Sequence, residues 1–448
     1  MKGNDLMICM SSNKSSKLSG NIVVPGDKSV SHRALILGSL VTGKIKVKNL
    51  LESDDVIATL EALKKLGVKI SKQKNFWEII GNGIGNLFGS NFELDMGNSG
   101  TGARLMMGLI AGSDVEATIL GDESLSKRPM KRIVTPLQKT GATFHNSNVN
   151  NLPIKMRGSK IPLPIEYFSP VASAQIKSSI LLAGLSSTGD TTVIEPTLSR
   201  DHTERLLNYL GAKVSTKQLP DSSWKISLKG LPILKPHNIE VPSDPSSAAF
   251  PIVAALITPN SQVKVLNVCI NKLRTGLYTS LIEMGANIKF SNIRELNGEK
   301  IADISAKYSV LNGIRIPASR VASMIDEYPI LSIAAIKAKG NTIMEDIGEL
   351  RLKETDRISA MCEGLSSIGI ETIENRDSMV VKGKGPDCVL NGNVVIKSNL
   401  DHRIAMSFLC LGLITENPIK VENTDTINSS FPSFIEIMNN IGAKIYNV

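Results

Sequence analysis

Aromatic side chains are scarce, with Phe, Trp and Tyr making up 4% of the 448 residues. Single-strand nucleic-acid platforms stack bases on such rings, so this composition argues against one. Cysteine is thin as well. Cys9, Cys269, Cys362, Cys388 and Cys410 are scattered, and no pair has zinc-ligand or redox-motif spacing. Reduced, mostly buried thiols in a cytosol-like compartment are expected. Long apolar runs are missing too. Leu6 to Met10 is shorter than the ~7–15 residues of a signal core, and Ile404 to Ile414 falls short of the ~18 residues of a membrane span. No dense Lys/Arg block, low-complexity region or long linker occurs. A soluble cytoplasmic protein is expected.

What is present is a surplus of positive charge and a repeat. The net charge of +9 suits an anionic partner, whether nucleic acid, an anionic membrane or a small phosphorylated substrate. The cations are dispersed, so solvated faces account for most of them. The repeat is an apolar helix-like run, then Gly, then a short strand-like run, marked by Gly67, Gly141, Gly211, Gly285, Gly369 and Gly442. A helix closed by a left-handed glycine and followed by a strand explains each copy. The spacing of roughly 70 to 84 residues is too long for a solenoid unit. Each unit reads as α+β with about two helices, and six units divide into two domains of three. The expected domains are 25–241, and 1–24 joined with 242–448, with crossings near Val24 and near Val241-Pro242-Ser243-Asp244-Pro245.

Several polar clusters precede apolar helix-like runs. In Pro25 to Ala34, P-G-D-K-S-V-S-H-R-A, Lys28 and Arg33 flank a helix start for which Ser29 is the expected cap. Such a terminus, with unpaired N–H groups and added cations, suits phosphate or carboxylate. Alone it is equally well read as a strand–turn–helix junction with solvated charges. Leu94 to Met107 carries Asn98 and three glycines, Gly97, Gly100 and Gly102, where backbone can approach an anion closely. It is not a Walker A loop, and Arg104 is read as bracing the fold. In K-R-P-M-K-R, Arg128 stands before a Pro expected to start a helix and is placed to clamp an anion, while Lys131 and Arg132 read as a solvated face. Ser173 and Gln175 offer hydroxyl and amide groups at a helix start, and Arg200 lies in a segment that can serve for capping. Asp326-Glu327 has a capping reading, and Lys353, Glu354 and Arg357 have an exposed ion-pair reading. His402, within Asp401-His402-Arg403, reads as structural.

Taken in order, P-G-D-K-S-V-S-H-R, G-N-S-G-T-G-A-R, K-R-P-M, R-D-H-T-E, L-K-E-T-D-R and D-H-R-I-A-M-S-F resemble the enolpyruvyl transferase family, in its shikimate branch, over essentially the whole chain. The resemblance implies an α/β fold, a two-domain inside-out α/β barrel built from six βαβαββ repeats that closes over its substrates. It implies transfer of the enolpyruvyl group of phosphoenolpyruvate to the 5-hydroxyl of shikimate 3-phosphate, with release of phosphate, in aromatic amino acid biosynthesis. Shikimate 3-phosphate would be bound by Lys28, Ser29, Arg33, Ser173, Ala174, Gln175, Arg200, Asp326 and Lys353. Phosphoenolpyruvate would be bound by Lys28, Asn98, Gly100, Arg128, Gln175, Arg357 and Arg403. Asp326 would take the hydroxyl proton, Glu354 would transfer a proton at the methylene carbon, and Lys28 would protonate the leaving phosphate. No metal or organic cofactor is implied, and the expected partners are the two small molecules, not nucleic acid or membrane, acting on a monomer. One departure is the stretch Asn428 to Pro432, which lacks the Lys that many members place before Phe-Pro. Two alternatives stay open: the sister reaction on UDP-N-acetylglucosamine, and a non-catalytic anion- or nucleic-acid-binding protein.

Overall fold

The computed structural model describes residues 8–87, 89–145 and 149–448. Leu6 and Met7 of the first apolar run, and residues 1–7 of the expected second domain, lie outside the described residues. The chain falls into two compact units. Of the described residues, one contains those within Gly26–Pro242 together with Glu295–Glu299, and the other contains 8–25, Ser243–Arg294 and Lys300–Val448.

Among the described residues, the unit around 26–242 has three four-stranded sheets. In one, Phe92–Asp95 leads into the helix Gly100–Ala111, the strand Glu116–Leu120 and the helix Lys131–Lys139, and then the strands Thr143–Phe144 and Ile154–Arg157. The first two strands pair in parallel, as a strand–helix–strand crossover requires, and the last two pair antiparallel. The same succession runs through Glu166–Phe168, Ala174–Gly184, Asp190–Glu195, His202–Tyr209, Val214–Gln218 and Trp224–Lys229. The third sheet is built on Thr42–Lys48, with helices Lys28–Ser39 and Asp54–Lys65 on either side of it in sequence.

Burial explains the layering. The strand Thr42–Lys48 buries Ile45 and Val47 and exposes Lys44, Lys46 and Lys48, the period-two pattern of a sheet with one wet face. Helices Gly100–Ala111 and Ala174–Gly184 are buried almost around their whole circumference. Most of what they bury is apolar, and the buried polar residues Arg104, Lys177, Ser178 and Ser179 are hydrogen-bonded. They also approach each other closely. A Cβ on Gly108 would stand 2.4 Å from the Ser179 carbonyl oxygen, and one on Gly112 would stand 2.9 Å from that of Ala183. Only glycine fits that crossing.

The other unit also holds three sheets among the described residues. In the first, Met10–Asn13 lies between Ile419–Glu422 and Lys444–Asn447, antiparallel to both. In the second, Ser19–Ile22 runs parallel to Gln262–Cys269. The third centres on Ala338–Met344 and Met379–Lys384. Helices Pro245–Ile257, Tyr328–Ile336 and His402–Gly412 are buried nearly throughout. The first starts on Pro245, and its cap Asp244 accepts from Ser246 N at 2.8 Å.

All six marker glycines have positive φ, from 77° at Gly369 to 105° at Gly442. Each ends a helix and leads into the strand that follows it, beginning at Lys69, Thr143, Val214, Asn287, Thr372 and Lys444.

Gly108→Ala should destabilise the protein by about 1–3 kcal/mol, because the new methyl meets backbone that cannot move aside. Urea unfolding of wild type and variant measures it, and an unchanged midpoint would refute the close approach.

Candidate active site

The motif residues stand at helix starts. Asp27 caps Lys28–Ser39, accepting from Val30 N at 2.9 Å, so the cap is Asp27 and not the expected Ser29. The Asp27 carboxylate stands at the N-cap, three residues before the N–H that it accepts from, and Ser29 instead lies inside the first turn. Lys28 Nζ meets Asp55 Oδ2 at 2.5 Å. One turn further along both helices, His32 Nδ1 meets Thr59 Oγ1 at 2.8 Å. His32 is fully buried and its Nε2 has no hydrogen-bond partner among the described residues. Burial first, then the charges of Lys28 and Arg33, push its pKa down to about 3, so the imidazole is neutral.

Arg33 is buried. Its Nε donates to Thr203 Oγ1 at 2.6 Å, Nη1 to Ser29 O at 2.9 Å and Nη2 to Ser178 Oγ at 2.9 Å. One guanidinium thereby ties helices Lys28–Ser39, Ala174–Gly184 and His202–Tyr209 together. Ser173 caps the second of these, which places Ala174 and Gln175 in its first turn. Lys177, two residues on, is wholly buried between Glu195 Oε1 at 2.9 Å and Glu204 Oε1 at 2.8 Å. Burial alone would lower its pKa, but the two carboxylates outweigh that and raise it. Glu195 also accepts from Ser199 N and Oγ, at 2.8 and 2.7 Å, which fixes the backbone that leads to Arg200.

Ser99 caps Gly100–Ala111, accepting from Gly102 N at 3.1 Å, and Gly97 turns the preceding loop at φ 52°. Asn98 donates to Asp122 Oδ2 at 2.7 Å, while Arg128 Nη2 donates to Asn98 Oδ1 and to Ser124 Oγ, the latter at 3.2 Å. Arg128 closes the short helix Glu123–Lys127, and the next helix begins only at Lys131, so Pro129 starts no helix. A Cβ on Gly100 would lie 2.9 Å from Arg104 Nη1 and 3.2 Å from Arg128 Nη1, so both guanidinium ends stand beside this glycine.

In the other unit a single guanidinium is central. Arg357, 2% exposed, donates from Nε to Asp401 Oδ2 at 2.7 Å, from Nη2 to Glu354 Oε2 at 2.6 Å, and from Nη1 to Asp326 Oδ1 at 3.4 Å. These carboxylates outweigh burial and raise its pKa. Asp401 in turn caps His402–Gly412, accepting from Arg403 N at 2.8 Å. Arg403 Nη1 donates to Asp326 O at 3.0 Å. Glu327 stands at the N-cap position of the helix Tyr328–Ile336 but makes no side-chain cap hydrogen bond, and Asp326 lies one residue before it. Glu327 is buried and accepts from Ser246 Oγ at 2.5 Å. Lys353 and Glu354 lie between the 3₁₀ turn Gly348–Leu352 and the helix Arg357–Ser367, so they form no exposed helical face. Burial holds the Lys353 pKa below its usual value, and Asp326 offsets this only in part. His402 Nδ1 meets Ser429 Oγ at 3.3 Å, in the stretch that lacks the Lys before Phe-Pro.

His32, Asp55, Thr203, Lys177 with its two glutamates, and Asp401 were not singled out as functional in the sequence. His32, Thr203, Glu204 and Asp401 lie within the quoted motifs and Asp55, Lys177 and Glu195 outside them, and for all of them the supporting role shows only in the buried contacts they make.

His32 stays neutral in the fold down to about pH 3, whereas an unfolded His binds a proton near 6.5. Between those values the unfolded state binds more protons, so acidification weakens the fold by at most ~1.4 kcal/mol per pH unit from this group. The stability difference between wild type and His32→Gln should therefore shrink from pH 6.5 to pH 4 in urea titrations. A constant difference would show that His32 is protonated in the fold.

The family model described as EPSP synthase (3-phosphoshikimate 1-carboxyvinyltransferase) matches residues 12–438. A 3-phosphoshikimate 1-carboxyvinyltransferase of Parvibaculum lavamentivorans is 50% identical over 431 residues, covering 96% of this chain and 95% of the relative. That of Bartonella henselae is 48% identical over 438 residues, covering 98% and 99%. The solved structure of EPSP synthase from Acinetobacter baumannii aligns with a TM-score of 0.88 at 42% identity, covering 98% of this chain and 100% of the other. The enolpyruvyl transferase NikO from Streptomyces tendae shares the mixed α/β fold at 15% identity, with a TM-score of 0.78 and 99% of each chain covered. With its motif residues at helix starts and full-length likeness at this level, the chain belongs to the EPSP synthase family.

Proposed function

We propose that the motif residues of each unit bind the substrates of an enolpyruvyl transfer. The chain transfers the enolpyruvyl group of phosphoenolpyruvate to shikimate 3-phosphate and releases phosphate, a step of the shikimate pathway. In the unit around 26–242, Lys28, Ser29, Arg33, Ser173, Ala174, Gln175 and Arg200 are assigned to shikimate 3-phosphate. Lys28, Asn98, Gly100, Arg128 and Gln175 are assigned to phosphoenolpyruvate. In the other unit, Asp326 and Lys353 are assigned to the first substrate, and Arg357 and Arg403 to the second. The finer architecture in this reading is the inside-out barrel, with three repeats in each of the two units. The protein is read as a cytoplasmic monomer acting on small anions. No helix among the described residues is long and apolar enough to cross a membrane.

The observation that supports this best is the gathering of Asp326 and Glu354 on the single buried Arg357. The reaction needs a base for the 5-hydroxyl and a proton donor for the methylene carbon. Two carboxyl groups held by one guanidinium supply both, the ionised one as base and the protonated one as donor. Asp326, ionised, takes the hydroxyl proton, Glu354 enters the step protonated and gives its proton to the methylene carbon, and the Lys28 ammonium, beside Asp55, protonates the departing phosphate.

Phosphate release from phosphoenolpyruvate should occur with shikimate 3-phosphate and not with UDP-N-acetylglucosamine; release only with the nucleotide sugar would overturn the acceptor assignment. Asp326→Asn and Glu354→Gln, which keep an oxygen toward Arg357, should each lower kcat by about 100- to 10,000-fold in folded protein, with some fall in the unfolding midpoint from the lost charge beside the buried guanidinium. A kcat within a few-fold of wild type would remove that residue from the chemistry. Binding to a DNA column that collapses steeply with salt would favour a nucleic-acid partner instead.

A further inference from the structure

The side-chain amide of Gln175 is held at both ends. Its Oε1 accepts from Arg104 Nη1 at 2.8 Å, and its Nε2 donates to Thr101 Oγ1 at 3.0 Å. An amide can rotate by half a turn and exchange its donor for its acceptor with almost no change of shape. A guanidinium has only donors, so a neighbouring Arg admits one of the two orientations, with the oxygen toward the Arg and the NH2 away. One Nε2 hydrogen then serves Thr101 and the second remains for another acceptor.

Arg104 is itself fixed. It is 4% exposed; Nη1 reaches Gly100 O at 3.4 Å and Nη2 reaches Pro129 O at 3.3 Å. Its carbonyl accepts from Ser179 Oγ at 2.7 Å, and the same hydroxyl lies 2.7 Å from Gln175 O. The contact of Gly108 with Ser179 one turn further on fixes the spacing of the two helices. The guanidinium therefore faces the amide from a rigid mount.

We propose that Arg104, with Thr101, is the positioning residue that turns the Gln175 amide so that an N–H faces the anionic substrates. This rests on the placement of Gln175 in the substrate site proposed above. With Arg104 absent, the amide turns freely and half of its orientations present a carbonyl oxygen to phosphate or carboxylate, which repels them. Arg104 touches no substrate in this account; it acts through Gln175.

A double-mutant cycle on the full-length enzyme tests it, with kcat/KM read from phosphate release. Gln175→Ala should lower kcat/KM by about 10- to 100-fold, the range for a hydrogen bond to a charged group. Arg104→Gln, which keeps a hydrogen bond but accepts either amide orientation, should lower it in the wild-type background and have almost no further effect in Gln175→Ala. Arg104→Lys, again donor-only, should recover most of the loss. Multiplying effects, or a Lys variant as impaired as the Gln variant at an unchanged unfolding midpoint, would overturn the proposal. If Arg104→Gln does not fold, Arg104→Met, which removes the donors and fills similar space, carries the same cycle, and independent effects there overturn it equally. A Gln175→Ala enzyme with wild-type kcat/KM would instead refute the placement of Gln175 itself.

Discussion

A buried cation must be met by acceptors, and that constraint organises each unit. Taking an ammonium or guanidinium out of water is expensive, and only close, well-aimed oxygens offset it. Lys177 draws in Glu195 and Glu204, which hold the segment before His202–Tyr209. Arg33 binds across three helices, and Arg357 gathers Asp401, Glu354 and Asp326. The positions of the polar residues follow from these demands more than from local backbone preference. The apolar helices beneath them, spaced by glycine, supply the rigid frame.

Much of this was legible in the chain. The six glycines marked helix ends because the left-handed turn they permit is a local property, and all six have positive φ. Helix starts at Lys28, Gly100, Ala174 and His402 follow polar residues that side-chain chemistry marks as caps, whereas the helix expected over Lys353 to Arg357 begins only at Arg357. The choice of cap was harder: Asp27 and Ser29 both qualify, and the backbone decides. Arg128 followed the same pattern, since a Pro after it suggested a helix start where a short helix in fact ends.

The remainder was hidden because it depends on distance in space. Nothing near Thr59 announces that its hydroxyl meets His32, and nothing near Thr203 or Ser178 that they receive Arg33. Asp326 and Glu327 looked like caps since two acids before an apolar run usually are. Their carboxylates are instead taken up by Arg357, Arg403 and Ser246, from elements far along the chain.

The strand Met10–Asn13 has a different bearing on how the protein comes into being. It lies between Ile419–Glu422 and Lys444–Asn447, so its two neighbours leave the ribosome roughly 400 residues after it. At roughly 5–20 residues per second, the wait between its own synthesis and theirs is on the order of 20 to 90 s. The unit around 26–242 has all of its long segments in hand well before then. During that interval the early strand carries unpaired edges on both sides, and it is a segment for which a nascent-chain chaperone would have use.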